Sequence, residues 1–196
     1  MTISNDKRDR ILSAALTVFA AKGFYNTKVS EIAQKAKVAD GTIYNYFKSK
    51  DDLLICLFED RMELILTRLN EELKGDVFEQ ITRFIELHLS LVQIEPSLAE
   101  FITLELRQSD KFLREYNNPK FANYLRILSS LIEKGQKEGL IRPRLNSKVI
   151  ARAMFGSLDE ILLSLTLTQK SRHIDVKGAV KQLTDLYLFG LKAPQS

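Results

Sequence analysis

Apolar residues recur along this chain at the three-to-four-residue spacing of helices, and no alternation of period two lasts for the length of a strand. Ile11, Ala15 and Phe19 stand four apart with Leu12 and Leu16 beside them, an inward stripe over residues 6–22 that stops at Gly23. Thr27 is placed to cap a short helix carrying Val29, Ile32, Ala33 and Ala36. Lys37, Val38 and Ala39 make a turn, and Asp40 is placed to cap a third helix over residues 41–47. Two short helices with a three-residue turn between them, buttressed by a longer one, describe a helix-turn-helix.

Ser49 then caps a longer helix whose first turn holds Asp51 and Asp52, where the helix dipole favours them. Its pattern of Leu53, Leu54, Leu57, Phe58, Ile65 and Leu69 persists to about residue 74, a span of roughly 40 Å at 1.5 Å per residue. That is long enough to serve two domains, and Gly75-Asp76 breaks it. Further helices are expected over residues 77–93, 96–107, 111–139 (interrupted near Asn117-Asn118-Pro119), 147–169 and 175–191. Pro96 fits a first turn, and Gly139 and Pro143 enclose a loop. The pattern predicts an all-α protein with a helix-turn-helix domain over residues 1–50 and a larger helical domain over residues 51–196. FITLEL, YLRILSSLI and FGSLDEILLSLTL are apolar on more than one side, so they need cover from a bundle, a second subunit or an apolar ligand.

Composition narrows the class. With 45% hydrophobic and 28% charged residues among 196, this is an ordinary globular mixture. No apolar run reaches the ~20 residues of a membrane span, and MTISNDKRDR lacks the apolar core of a secretory signal. The single cysteine, Cys56 in LLICLF, reads as a small buried hydrophobe and fits a reducing cytoplasm. Residues 1–50 hold nine basic and four acidic side chains, and the remainder twenty and twenty-one, so the net excess of +4 resides in the first quarter. Such a patch is the footprint of a phosphate-binding module, although solubility alone can produce an excess of that size.

The chemistry expected of that patch centres on GTIYNYF. Ile43 and Phe47, four apart, would anchor the short helix and leave Thr42, Tyr44, Asn45 and Tyr46 around the rest of it, the arrangement a recognition helix offers the major groove. Gly41 would allow close approach to a sugar-phosphate chain. Thr42 offers a methyl and a hydroxyl, Asn45 an amide suited to adenine. Tyr44 and Tyr46 have phenols of a length to reach phosphates, although Tyr46 serves equally as a half-buried packing residue. Lys48 and Lys50 add charge beside a helix start, and Thr27 and Lys28 do so for the preceding helix; lone lysines at helix ends are ordinarily solvated, so their conjunction carries the argument. KGFYNTKVSEIAQKAKVADGTIYNYFKSKDDLL resembles the DNA-binding segment of the TetR family of bacterial repressors in helix order, in its G-T-x-Y-x-Y-F core and in the K-x-K-x-x-L that follows. The resemblance covers about residues 7–55. It implies a homodimer, a three-helix DNA-binding domain on double-stranded operator DNA, and a helical domain that binds a small effector and dimerises. Asp40, acidic just before Gly41, is the poorest fit; it would read a cytosine amino group or only cap.

The larger domain shows no catalytic constellation and no cofactor or metal motif. Its histidines, His88 and His173, are far apart, and neither a phosphate loop nor G-x-S-x-G is present. Within it, TLELRQSDKFLREY and FGSLDEILLSLTL, together with DGTIYNYFKSKDDLLICLF before them, resemble the branch of the same family that regulates fatty-acid degradation and responds to long-chain acyl-CoA. An acyl chain needs apolar helical walls, for which Phe84, Leu91, Phe101, Leu104, Ile127 and Phe155 are candidates, with His88 lining a cavity or filling core. The phosphates of coenzyme A would find Arg107, Lys111, Arg114 and Arg126, with an amide from Gln108; Arg107 serves equally in a salt bridge to Glu105 or Asp110. A lipophilic cation would instead need buried carboxylates such as Glu86, Glu100 or Glu105. For the dimer surface, Ile150, Met154, Leu158, Ile161 and Leu165 form one stripe, with Leu183 and Tyr187 on the partner helix and Gly156 permitting close approach. The rival classes are an architectural DNA-binding protein without effector, which needs no apolar cavity, and an enzyme whose residues lack a motif.

Overall fold

The computed structural model describes residues 3–105, 109, 119–167 and 175–191, and the regular elements among them are helical: α1 (Ile3–Lys22), α2 (Val29–Ala36), α3 (Asp40–Tyr44), α4 (Lys50–Glu72), α5 (Val77–Leu89), the short α6 (Leu91–Ile94) and α7 (Pro96–Glu100), a π-helical turn (Phe101–Glu105), α8 (Pro119–Lys137), α9 (Ser147–Leu167) and α10 (Val176–Leu191). They make two compact units, Met1–Met62 with Glu95–Asn117, and Glu63–Ile94 with Asn118–Ser196. That division differs from a cut at residue 50, because the segment opening at Glu95 packs with the N-terminal helices.

In the first unit the expected stripe is the core: Ile11, Ala15 and Phe19 are fully buried, together with Ile32 and Ala33 of α2 and Leu53, Leu54 and Leu57 of α4. Gly23 ends α1 in the left-handed region at φ +80, and its N–H reaches Phe19 O at 2.8 Å. Lys37 ends α2 in the same region at φ +55, which lets the Val38 N–H return to Ala33 O at 3.0 Å. Arg10 ties this turn to α1 by donating to Ala36 O at 2.6 Å.

Two expected caps are corrected. Thr27 is buried and its hydroxyl turns back to donate to Gly23 O at 2.7 Å; Lys28 holds the cap position of α2, its N–H taken by the Glu31 carboxylate at 3.0 Å. Ala39, not Asp40, precedes α3, and its carbonyl accepts from Thr42 N–H at 2.8 Å, so Asp40 stands exposed in the first turn. Ser49 does cap α4: its hydroxyl accepts from Asp52 N–H at 3.1 Å while Asp52 Oδ2 takes Lys48 N–H at 2.7 Å.

In the second unit, Asp76 caps α5 by accepting from Phe78 and Glu79 N–H at 2.8 and 2.9 Å. The core joins Val77, Ile81, Phe84 and Ile85 of α5 to Leu128 and Ile132 of α8 and to Met154, Leu158 and Leu162 of α9. The helix expected over residues 77–93 breaks at Ser90. The dimer stripe needs correction too. Met154 and Leu158 are fully buried and Leu165 nearly so within their own unit, and they are core residues; Ile150, Ile161, Leu183 and Tyr187 are half-buried. Because α9 is apolar on two faces, spacing alone does not say which one turns inward. The outward apolar face lies one step round, at Val149, Ala153, Gly156 and Leu167 on α9 and Leu186 and Phe189 on α10.

Gly135 of α8 lies against the loop that follows: a Cβ there would stand 2.6 and 2.8 Å from Cδ1 and Cγ1 of Ile141 and 3.1 Å from Cγ1 of Val77. Gly135→Ala therefore overpacks this junction at a cost of about 1–3 kcal/mol, offset by at most about 1 kcal/mol of helix propensity. Thermal melting should fall by a few degrees; a melting temperature at or above that of the parent would refute this account of the junction.

Candidate functional site: a nucleic-acid face and an aromatic cluster

The helix expected over residues 41–47 ends at Tyr44, and the short α3 with the turn that follows it is pinned from beneath and bare above. Ile43 and Phe47 are 2% and 1% exposed, whereas Tyr44 is 59% exposed and Gly41 and Asn45 are open to solvent, with Thr42 and Tyr46 half-buried. A Cβ on Gly41 would meet nothing within 4 Å, and its backbone is unstrained, so no packing inside the chain asks for glycine there. Lys28 at the start of α2 and Lys48 ahead of α4 are exposed. Tyr25, 65% exposed in the turn before α2, adds an aromatic that the sequence reading passed over; its place in GFYNT, just ahead of a short helix, was the available signal.

Lys50 does not join this face as expected. Its ammonium donates to the carbonyls of Phe24, Thr27 and Tyr25 at 2.7, 3.2 and 3.3 Å and lies 4.5 Å from the centre of the Phe24 ring. The charge is directed to the turn between α1 and α2. The other side of the same residue is held by Glu105, whose buried carboxylate accepts the Phe24 N–H at 2.5 Å. Ser109 adds a bond from its hydroxyl to Asp51 Oδ1 at 2.7 Å. Phe101, expected on a ligand-facing wall, is instead fully buried and stacked on Phe19 at 6.4 Å, and Leu104 lies in the same π-helical turn.

The second unit gathers several of the residues expected to meet an effector. Phe84 and His88 of α5, Tyr124 of α8 and Phe155 of α9 share one cluster, joined by Phe121. Ring centres lie 4.9 Å apart for Phe84 and Tyr124, 6.2 Å for His88 and Phe155, and 4.8 Å for Phe121 and Phe155. His88 Nδ1 is 2.5 Å from the Tyr124 hydroxyl. Burial lowers the His88 pKa to about 4, and the Tyr124 phenol is pushed well up by burial and, secondarily, by the charge of Asp159. At neutral pH both groups are therefore uncharged. Leu91 is buried on α6. Arg126 does not converge on the cluster: it is exposed, and its guanidinium donates to Asn123 Oδ1 at 2.8 Å. Arg107 and Gln108 lie outside the described residues. The neighbouring face of α5 lines a separate concavity of about 530 Å³ with Arg68, Arg83, Lys177 and Lys181, which the sequence reading did not single out. Among the described residues no group of His, Cys, Asp and Glu side chains could hold a metal ion.

Comparison with known proteins matches the chain in two stretches. The profile "Bacterial regulatory proteins, tetR family" matches residues 11–56, and "YsiA-like protein, C-terminal region" matches residues 58–189. The chain is 36% identical over 177 residues to the fatty acid metabolism regulator protein of Bacillus subtilis (strain 168), covering 89% of this chain and 91% of that one. Among solved structures it is similar to the fatty acid degradation regulator FadR from Bacillus halodurans, with a TM-score of 0.86, 33% identity, and 94% and 95% of the two chains covered. It is similar also to FadR from Bacillus subtilis in complex with stearoyl-CoA, with a TM-score of 0.86, 34% identity, and 93% and 98% covered.

The neutral state of His88 has a measurable consequence. The unfolded chain takes up this proton near pH 6.5, whereas the folded one refuses it until about pH 4. The stabilisation is thus complete above pH 6.5 and is lost as the pH falls to 4, roughly 3 kcal/mol in all. Urea unfolding midpoints should drop across that window in the parent and much less in His88→Phe; equal slopes would show that His88 is not the group responsible.

Proposed function

This chain belongs to the TetR family of bacterial regulatory proteins and is a transcriptional regulator of that type, and we propose that it acts as a dimeric repressor on a palindromic operator, released by a long-chain acyl-CoA, in control of fatty-acid degradation genes. One conjunction carries the reading. Likeness over nearly the whole chain to a fatty acid regulator, and to a structure holding stearoyl-CoA, coincides with an apolar aromatic cluster in this chain's own second unit. The relatives reported above are regulators rather than enzymes. A cytoplasmic place of action goes with operator binding, and no helix among the described residues is long and apolar enough to cross a membrane.

In this reading α3 enters the major groove. Thr42, Tyr44 and Asn45 meet bases and phosphates, Gly41 lets the helix approach closely, Tyr46 packs beside them, and Lys28 and Lys48 neutralise phosphates. The outward apolar faces of α9 and α10 pair across a twofold axis, so that two such heads stand about 34–36 Å apart, one turn of DNA. The effector acts by preferring the arrangement in which the heads no longer match successive grooves, and it shifts the equilibrium only as far as that preference extends. α4 supplies residues to both units, and the segment bearing Glu105 and Ser109 grips the head; both are elements through which that preference would be expressed. A lipophilic cation is the less favoured effector, since Glu86 is bound by Arg83 at 2.8 Å and Glu105 by the Phe24 N–H.

Stearoyl-CoA should weaken operator binding by about tenfold or more in a mobility-shift or anisotropy titration; unchanged affinity removes the acyl-CoA assignment while leaving DNA binding in place. On the DNA side, Gly41→Ala should leave thermal stability intact, because the methyl enters open space, yet reduce operator affinity by roughly tenfold, and Tyr44→Ala should do likewise. Full operator affinity in both variants would displace α3 from the interface.

A further inference from the structure

Three buried side-chain atoms among the described residues have no hydrogen-bond partner: Arg61 Nε, Thr184 Oγ1 and His88 Nε2. Arg61 has another nitrogen of its guanidinium on Glu95, and Thr184 belongs to a half-buried residue. His88 differs from both. Its residue is 6% exposed, it lies within the aromatic cluster, and its second ring nitrogen is already engaged.

The proton count fixes what the free nitrogen is. A neutral imidazole carries one N–H, and the Tyr124 phenol, held protonated, carries one O–H. Were Nδ1 to donate to the phenol oxygen, the buried phenol hydrogen and the Nε2 lone pair would both go unmet. With the phenol donating to Nδ1, only one group remains unmet, an Nε2–H. The second arrangement leaves less buried polarity unsatisfied, and satisfaction of buried polar groups favours it. The cluster therefore holds a single donor among aromatic rings. Phe155 meets the imidazole edge-on at 84°, and Phe121 meets Phe155 edge-on in turn at 69°; these are the two rings of the cluster that remain partly exposed.

An apolar site with one uncharged donor selects a chain bearing one uncharged acceptor oxygen. A carboxylate is poorly served, because the imidazole brings no positive charge to offset its desolvation, and the charged group that the phenol senses is Asp159, which would repel it. A plain hydrocarbon leaves the donor unmet. We propose that His88 is a specificity-determining residue of the effector site, donating from Nε2 to the thioester carbonyl oxygen of a bound acyl-CoA and so favouring thioesters over free fatty acids and over alkyl chains without a carbonyl. The inference rests on the acyl-CoA reading above and assigns the polar contact within it.

The test compares stearoyl-CoA with S-octadecyl-CoA, a thioether of matching chain that lacks the carbonyl oxygen, each titrated against the full-length protein by calorimetry and by operator release. The parent should bind the thioester about tenfold more tightly than the thioether, and stearate far more weakly than either. In His88→Leu the thioester advantage should shrink to about twofold or less through loss of thioester affinity alone, and His88→Gln, which returns an N–H near the Nε2 position, should recover part of it. A merely structural role would weaken both ligands together and leave their ratio alone. Equal binding of thioester and thioether by the parent overturns the inference, as does a His88→Leu protein that binds operator normally and keeps the parental ratio. Binding of neither coenzyme A ligand by the parent overturns the acyl-CoA reading and this inference with it. The parental comparison requires no variant to fold.

Discussion

The backbone of Phe24 is gripped on both sides by opposite charges. Glu105 takes its N–H and Lys50 its C=O, while the Phe24 ring packs 5.6 Å from Phe19 and carries the Lys50 ammonium over its face. A buried carboxylate and a half-buried ammonium are costly to remove from water unless such partners are in place. Here the partners are main-chain groups of a turn that belongs to no helix and would otherwise have to find water. The turn leads directly into α2, α2 leads through Lys37 into α3, and so the outward aim of Tyr44 and Asn45 depends on a contact made some twenty residues earlier in the chain. The aim of α3 is thus set from behind, by residues that lie outside it.

Much of this was legible in the order of residues. The stripe of Ile11, Ala15 and Phe19, the anchors Ile43 and Phe47, and the Ser49 cap with Asp52 are local patterns, governed by spacing within one or two helical turns, and each is found where spacing puts it. What could not be read is where long side chains go once the chain has folded. Lys50 and Lys48 look alike in sequence, two lysines at a helix start. One is solvated and the other reaches three carbonyls that are brought together only by the turn at residues 24–27. Thr27 and Asp40 are good capping residues by type, but both lost the place to a neighbour whose backbone had the extended geometry. On α9 the pattern was ambiguous in itself: a helix apolar on two faces fits a core and an interface equally, and Met154, Leu158 and Leu165 belong to the core.

The aromatic cluster was half legible for a related reason. Phe84, His88 and Phe155 were singled out as apolar or cavity-lining residues, and they do meet; Tyr124, which completes the group and sets the tautomer of His88, carries no signal of its own in YLRILSSLI. Polarity inside an apolar site is a property of pairs. A histidine beside a carboxylate would be a cation, whereas the same histidine buried beside a protonated phenol is neutral.

Lys37 holds the left-handed conformation at φ +55, the single non-glycine residue with positive φ among those described. That backbone state costs a residue with a β-carbon on the order of 1 kcal/mol relative to glycine. In evolutionary terms the position is a standing compromise. Drift toward glycine would relax the bend and discard an exposed cation between α2 and α3, and drift toward a branched side chain would break the bend outright. Related sequences should accordingly sample a narrow alphabet there, dominated by lysine, asparagine and glycine, while the solvent side of α2 varies freely.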